Sequence, residues 1–195
     1  GTPEWISSIE TSGQGYGMDA TNGSIYLSGT TSDGGMGTSI LVSKFTQAGN
    51  REWIRAVGAA NSSQVGSSIA AGSDGSVVVV GTNYSITKLS SSGNLLWSKN
   101  FDWRGYEANA VAISGSGDIY VAGSAFNLFG SSSGDIVLTK LDSSGNVIWA
   151  RSFGSPSNEY IRSITVGQDQ SVYLAGAIEE PGNNNRRGYG DYPSV

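Results

Sequence analysis

The sequence predicts an all-β protein built from repeated four-stranded antiparallel units, on the strength of two observations. A similar motif ends in Trp5, Trp53, Trp97 and Trp149, with spacings of 48, 44 and 52 residues, a period typical of solenoids, propellers or arrays. Between these tryptophans, short runs of β-branched and aromatic residues alternate with turns rich in Gly, Asn, Asp and Ser. No window shows the sustained 3.6-residue apolar period of a helix.

The first unit shows how four strands fit into one repeat. Its predicted strands are 15–20, 24–29, 40–45 and the segment that contains Trp53. Asn22-Gly23 separates the first two strands, and an Asn-Gly pair between two strand-like runs is a strong signal for a two-residue hairpin. Ala48-Gly49 predicts the turn into the last strand of the unit.

The same order of strands and turns recurs along the whole chain. The predicted repeats cover about 6–53, 54–97, 98–149 and 150–195, the last incomplete, within one domain of 195 residues. Four short antiparallel strands per repeat of this length are the pattern of propeller blades, whose two faces both pack against neighbours. Burial on both faces also explains the unbroken aliphatic run Val77 to Val80. We therefore expect a β-propeller with about four blades, either closed or part of a larger ring.

The last repeat favours the larger ring. Its final segment, Asp191 to Val195, contains Pro193 and lacks both the lysine and the Gly-Asn turn of the complete repeats. A four-blade ring would need the Trp5 strand to complete this blade. We expect instead that the chain is part of a larger polypeptide or assembly.

The residues of the third repeat resemble a known family. The run G-D-I-V-L-T-K-L-D-S-S-G-N-V-I-W, followed in the next repeat by S-V-Y-L-A-G, is similar to the bacterial beta-propeller repeat family (SBBP repeats). The resemblance covers essentially the whole chain and implies a bacterial surface or secreted protein without an agreed activity. A weaker resemblance to quinoprotein-type propeller repeats implies no cofactor here, because the residues that hold it cannot be mapped onto this sequence.

Composition excludes several classes of function. The chain has 16 acidic and 11 basic residues and a net charge of −5, so it lacks the basic surface that nucleic acid or an anionic membrane requires. No apolar run is long enough to span a bilayer. Cysteine and histidine are absent, which removes the commonest metal ligand and the usual general base and argues against an enzyme. The polar, Gly-, Ser- and Asn-rich composition favours an extracellular location.

A lysine precedes each of three tryptophans by nine residues, at Lys44, Lys88 and Lys140. If the intervening turns are hairpins, each lysine faces its tryptophan across the two strands. The ammonium group would then lie over the indole face. This pattern predicts a structural role, because every complete repeat carries it.

The candidate binding residues lie on the opposite face of the blades. There the connections vary in length and composition, and variable loops on a rigid scaffold are where binding residues usually occur. The richest segment combines aromatic, acidic and basic side chains, and two phenylalanines lie in the neighbouring loop; these residues are Asp102, Trp103, Arg104, Tyr106, Phe126 and Phe129. Alignment of the first strand of each repeat gives four equivalent positions that would surround the mouth of the axial channel: Tyr16, Ser67, Asn109 and Arg162.

Three functions are consistent with these residues. The first is a non-catalytic binding or adhesion module whose variable-loop face takes a glycan or a protein, since aromatics with planar hydrogen-bonding groups suit a sugar or a peptide. The second is a hydrolase or lyase that uses carboxylates such as Asp102, Glu107 or Glu159 in the axial funnel. The third is a structural component of an assembly. We expect no bound metal in any of them.

Overall fold

The computed structural model describes residues 13–32, 38–58, 64–101, 107–126, 134–155 and 157–179, and only the backbone of Phe126. Within these ranges the chain consists of strands and turns. The strands are β1 (Gly13–Thr21), β2 (Ser24–Ser32), β3 (Thr38–Thr46), β4 (Arg51–Val57), β5 (Gly66–Ala71), β6 (Val77–Gly81), β7 (Ser85–Leu89), β8 (Leu95–Asn100), β9 (Glu107–Ile113), β10 (Ile119–Phe126), β11 (Gly134–Leu141), β12 (Val147–Phe153), β13 (Asn158–Val166) and β14 (Val172–Glu179).

These strands form the sheets of a β-propeller, as predicted. Blade 1 is β1–β4, blade 2 is β5–β8 and blade 3 is β9–β12, each an antiparallel sheet in chain order. The described part of blade 4 is the hairpin β13–β14. In each complete blade the outer strand continues three or four residues past the tryptophan that ends the predicted repeat.

The innermost strands β1, β5, β9 and β13 contact one another in succession, so they form the inner edge of the row of blades. Blades 1 to 3 each have a front face that packs on the following blade, and blades 2 to 4 each have a back face that packs on the preceding one. Tyr26 and Val42 of the front face of blade 1 pack on Ile69 and Val79 of the back face of blade 2. Similar clusters join blades 2 and 3 and blades 3 and 4. Because both faces of β6 are covered, Val77 to Val80 are completely buried.

The hairpin turns at one end of the blades follow the sequence closely. Asn22 and Gly23 have positive φ angles of 50° and 70°, and Thr21 pairs with Ser24, which makes the predicted two-residue turn. In each of the other turns at this end, the N–H of one residue donates to the carbonyl three residues earlier. That residue has a positive φ angle, which is unfavourable for a residue with a side chain. Glycine occupies this position in five turns and Gln170, with φ 67°, in the sixth; the glycines are Gly49, Gly75, Gly93, Gly117 and Gly145.

The tryptophans join neighbouring blades at this same end, a contact that sequence reasoning missed. The indole Nε1 of Trp53 donates a hydrogen bond to the carbonyl of Ser91 in blade 2, at 3.0 Å. The indole of Trp97 donates in the same way to Ser143 in blade 3, at 3.2 Å. The Gly-Asn turn of one blade is therefore the socket for the tryptophan of the blade before it.

The lysines pair with the tryptophans across the strands, as predicted, but their charged groups lie elsewhere. Lys44 is opposite Trp53 in the register of β3 and β4, yet its Nζ lies over the ring of Tyr26, 5.8 Å from the centroid, and forms an ion pair with Glu52 at 2.7 Å. The guanidinium of Arg55 lies 5.9 Å from the Trp53 ring instead. The prediction of lysine over indole was wrong. Lys140, like Lys44, pairs with a carboxylate and lies over a tyrosine ring of its own blade. Lys88 instead donates to the carbonyl of Ser143 in blade 3, at 3.2 Å.

No described residue belongs to a helix with the length and apolar character that crossing a membrane would require.

Candidate functional site

Four side chains of the innermost strands occupy equivalent positions near the loop face, and each is the unpaired residue of a β-bulge. In β1 the register with β2 shifts between Gly15 and Gly17, which leaves Tyr16 without a partner. The same shift occurs at the other three inner strands, so that the unpaired residues are Tyr16, Ser67, Asn109 and Arg162. A β-bulge re-aims the side chain of its extra residue and is over-represented next to active sites.

The surroundings of the bulge residues differ from blade to blade. The hydroxyl of Tyr16 donates to Oε1 of Gln14 at 2.5 Å. Oδ1 of Asn109 accepts a hydrogen bond from the hydroxyl of Ser124 at 3.3 Å, which leaves its amide NH₂ group for another acceptor. Arg162 is exposed and forms no ion pair within the described part of the chain. The ring thus offers an aromatic face, hydroxyls, an amide and one cation.

The residues that flank three of the four bulge residues are small, and this signal could have pointed to those bulges from sequence. Arg162 is the exception, because Ile161 precedes it. Gly15 and Gly17 flank Tyr16, and Ala108 and Ala110 flank Asn109. A carbon built as Cβ on Gly17 would lie 2.7 Å from the Ser28 hydroxyl, so a larger residue there would collide with the neighbouring strand. Small residues allow the backbone to bend and leave the central side chain as the variable group.

The loop residues predicted to bind ligand can be placed only in part. Asp102, Trp103, Arg104, Tyr106 and Phe129 lie outside the described residues, and Phe126 is the last residue of β10, where its backbone pairs with Gly134. One aromatic side chain at this end of the blades, in the connection between β6 and β7, is structural. Tyr84 is completely buried, and its hydroxyl reaches across to Thr139 of blade 3 at 3.0 Å.

The carboxylates considered for catalysis do not form a described acid–base pair. Glu159 is buried, and its Oε1 accepts hydrogen bonds from the backbone N–H of Ser155, at 3.1 Å, and from the Ser155 hydroxyl. It therefore holds the connection between β12 and β13. Glu107 is exposed at the start of β9, and Asp102 lies outside the described residues. Within the described ranges no group of three acidic side chains is placed to hold a metal ion.

The titratable groups with clear pKa shifts lie away from this ring, in the turns and on the third strands of the blades. Hydrogen bonds from Ser76 hold the pKa of Asp74 below its ordinary value, and hydrogen bonds from Asn146 do the same for Asp142. A hydrogen bond to Glu52 raises the pKa of Lys44. Strong perturbation is typical of catalytic groups, but these residues stabilise turns and strand pairs. The ring offers groups for hydrogen bonding and stacking.

Comparison with known proteins supports the fold. No family model matches the chain, and no curated protein is similar to it. Among solved structures, it is similar to a protein of unknown function from Bacteroides caccae, with 14% identity over 69% of this chain and 46% of that one and a TM-score of 0.53. BamB from Moraxella catarrhalis gives 13% identity over 80% and 38% of the two chains and a TM-score of 0.51.

The arabinanase Arb43A from Bacillus subtilis is also similar, with 17% identity over 86% of this chain and 68% of that one and a TM-score of 0.48. The chain spans less than half of the length of the first two proteins. At 14% and 13% identity, the likeness to the first two structures shows the fold alone.

Proposed function

We propose that this chain is a non-catalytic binding module of a bacterial surface or secreted protein, and that it binds a glycan at the mouth of the axial channel. The observation that carries the proposal is the ring of bulge residues, Tyr16, Ser67, Asn109 and Arg162. The scaffold repeats at these positions, while the side chain changes in each blade. A site built in this way presents several different polar groups to one ligand.

The chemistry of the ring suits a sugar better than a catalytic substrate. Arg162 and Asn109 supply planar donors for hydroxyl or carboxylate oxygens, and Tyr16 supplies a ring face for stacking. None of the four positions holds a carboxylate, the group that glycoside hydrolysis needs in pairs. The loop segment with Trp103 precedes β9 directly and would extend the same surface.

Binding is tested first on a glycan array and then by calorimetry with each glycan that binds. We expect Arg162→Ala to weaken binding by about 10-fold or more, because a hydrogen bond to a charged group contributes about 1.5–3 kcal/mol. Tyr16→Ala and Trp103→Ala should weaken it as well. Arg51→Ala is the matched control, since Arg51 is an exposed arginine on the outer strand β4 and should leave the affinity unchanged.

Two results would contradict the proposal. One is the absence of binding to any glycan on the array. The other is a bound glycan whose affinity is the same for the Tyr16, Asn109 and Arg162 variants as for the unmodified chain. If the chain instead bound a protein, and the same variants abolished that binding, the site would be correct and the ligand would be a protein rather than a glycan.

A further inference from the structure

The hairpin turn between β1 and β2 contains a pair of residues whose chemistry favours deamidation. Asn22 is the only asparagine of the sequence that a glycine follows. In deamidation, the backbone nitrogen of the following residue attacks the side-chain carbonyl carbon of asparagine. Glycine allows this attack most readily, because it has no side chain to shield its nitrogen and its backbone is conformationally free.

The reaction of this pair needs only water as a co-reactant. A bond forms between the nitrogen of Gly23 and Cγ of Asn22, and the bond from Cγ to the amide nitrogen breaks. The proton of the Gly23 N–H leaves with the amide group as ammonia, and a cyclic imide remains. Water then opens the imide to aspartate or to isoaspartate, in which the backbone runs through the side-chain carbon.

The folded structure holds Asn22 in an arrangement unsuited to this attack. Its Nδ2 donates a hydrogen bond to the carbonyl of Ser73 in blade 2, at 2.7 Å. The side-chain amide is therefore tied to the neighbouring blade, whereas the attack requires its carbonyl carbon to lie against the nitrogen of Gly23. The backbone of the turn is held as well, because the carbonyl of Gly23 accepts a hydrogen bond from the N–H of Gln47 at 3.0 Å.

The contact of Asn22 belongs to the junction between blades 1 and 2. Next to it, Oδ2 of Asp19 accepts a hydrogen bond from the N–H of Ala71 at 2.8 Å. The hydroxyl of Tyr26 donates to the carbonyl of Gly75 at 2.9 Å. Asn22 itself is exposed, so water reaches it. Its protection comes from the junction and the turn rather than from burial.

We propose that Asn22 is a site of spontaneous deamidation that the junction between blades 1 and 2 protects, and that the reaction proceeds when this junction opens. An aspartate at this position would place a carboxylate oxygen against the carbonyl of Ser73, so that two acceptors would face each other. An isoaspartate would add a carbon to the backbone of the two-residue turn and disturb the pairing of Thr21 with Ser24. Either product weakens the junction whose opening produced it. This site is independent of ligand binding at the axial mouth.

The neighbouring pair Asp74-Gly75 provides an internal comparison. Aspartate forms the same imide from its neutral acid, because an ionised carboxylate is a poor electrophile. Oδ1 of Asp74 accepts hydrogen bonds from the hydroxyl and the N–H of Ser76, at 2.7 and 2.9 Å, and these bonds keep the pKa of Asp74 below its ordinary value. We therefore expect Asp74 to remain unconverted in the folded chain.

The test is the rate at which Asn22 is converted in the 195-residue chain, measured by mass spectrometry of its proteolytic peptides. The chain is incubated at mildly alkaline pH, with and without concentrated urea. We expect conversion in the folded chain to be slower by about 10-fold or more, because the reaction has to wait for local opening of the turn. Equal rates with and without urea would overturn the proposal.

A second experiment asks whether the junction is the protecting element. Tyr26→Phe removes the hydroxyl that donates to Gly75 and leaves the turn unchanged, so we expect faster conversion of Asn22 in the folded chain. Thr139→Val is the matched control, because it removes a hydroxyl that bonds to Tyr84 at the junction of blades 2 and 3. Circular dichroism checks that both variants fold. The proposal fails if Tyr26→Phe leaves the rate unchanged or if Thr139→Val raises it equally.

The effect of the product is measured with Asn22→Asp. We expect this variant to lower Tm at neutral pH. Asn22→Gly is its control, because glycine also removes the hydrogen bond to Ser73 but adds no charge and suits a positive φ, so it should lower Tm less. An Asn22→Asp chain that melts like the unmodified chain would show that deamidation does not weaken the junction.

Discussion

The two ends of the blades use repetition in opposite ways. At the turn end, the same residue types recur in successive blades and make the same contacts, such as Trp53 with Ser91 and Trp97 with Ser143. At the loop end, the backbone repeats the bulge, but the side chain at its centre is tyrosine, serine, asparagine or arginine. Repeated residues hold blades together, and the residues that change from blade to blade are the ones available for binding.

One repeated contact at the turn end lies between an indole and a glycine. Gly93 has φ +79°, and a Cβ built on it would lie 2.9 Å from Cδ2 of Trp53. Gly145 has φ +80°, and a Cβ there would lie 3.1 Å from the Trp97 ring. Each of these glycines is therefore required twice, once for the backbone angle and once for the closeness of the neighbouring blade. This double requirement predicts that replacing either glycine destabilises the fold.

The largest effect is expected from Gly93→Ala, which should lower the free energy of unfolding by about 2–4 kcal/mol. About 1 kcal/mol or more comes from a left-handed backbone angle on a residue with Cβ, and about 1–3 kcal/mol from overpacking against Trp53. Urea unfolding followed by tryptophan fluorescence measures the change. Gly117→Ala is the control, because Gly117 has φ +86° and nothing lies within 4 Å of the added carbon.

Gly117→Ala should therefore lower the free energy of unfolding only by the cost of the left-handed backbone angle, about 1–2 kcal/mol. If both variants lost the same free energy of unfolding, the contact between Gly93 and the Trp53 indole would contribute nothing to stability. The turn of blade 2 would then not differ from a turn that no indole contacts. A further loss in Gly93→Ala, abolished when Trp53 is also replaced by alanine, would assign that loss to the contact between blades.

Much of the turn end could be predicted from the sequence, and less of the loop end. The Gly-Asn turns and the lysine–tryptophan register follow from spacing alone, because hairpin pairing depends on the number of residues between two strands. The socket for Trp53 could not be inferred, since it joins segments 38 residues apart in neighbouring blades. Sequence alignment identified the positions of Asn109 and Arg162, but only the register shows that both are bulge residues.

The turns between the third and fourth strands offer a second comparison. The blade 3 turn is held by a carboxylate, which titrates, and the blade 2 turn by a hydroxyl, which does not. In blade 3, Oδ1 of Asp142 accepts hydrogen bonds from the backbone N–H groups of Ser144 and Asn146, at 2.9 and 2.8 Å. In blade 2 the same position is Ser90, whose hydroxyl accepts from the N–H of Asn94 at 3.1 Å. Hydrogen bonds to the carboxylate lower the pKa of Asp142 below its ordinary value of 3.8.

Asp142→Ser, which copies the blade 2 turn, should lower Tm at neutral pH by less than Gly93→Ala does. Because the folded-state pKa of Asp142 is lowered, its contribution is complete above pH 3.8 and is lost as the pH falls through the folded value. The difference in Tm between the unmodified chain and Asp142→Ser should therefore shrink in acid, as calorimetry at several pH values can measure. Ser90→Ala is the control, and its effect should not depend on pH. A pH-independent difference for Asp142→Ser would show that the carboxylate is not the stabilising group.

The smallest effect concerns the turn between β13 and β14. Gln170 has φ 67° where the equivalent turns have glycine, and a left-handed angle costs a residue with Cβ about 1–2 kcal/mol. Gln170→Gly removes that cost but adds about 0.5–1 kcal/mol of unfolded-state entropy, so we expect a net gain in unfolding free energy of about 0.5 kcal/mol. Gln168→Gly, in the same turn but without a positive φ, adds the entropy without relieving strain and should lower stability. If both glycine variants lowered the stability equally in urea unfolding, the left-handed position would carry no strain, and the preference for glycine at this end would come from the contacts between blades alone.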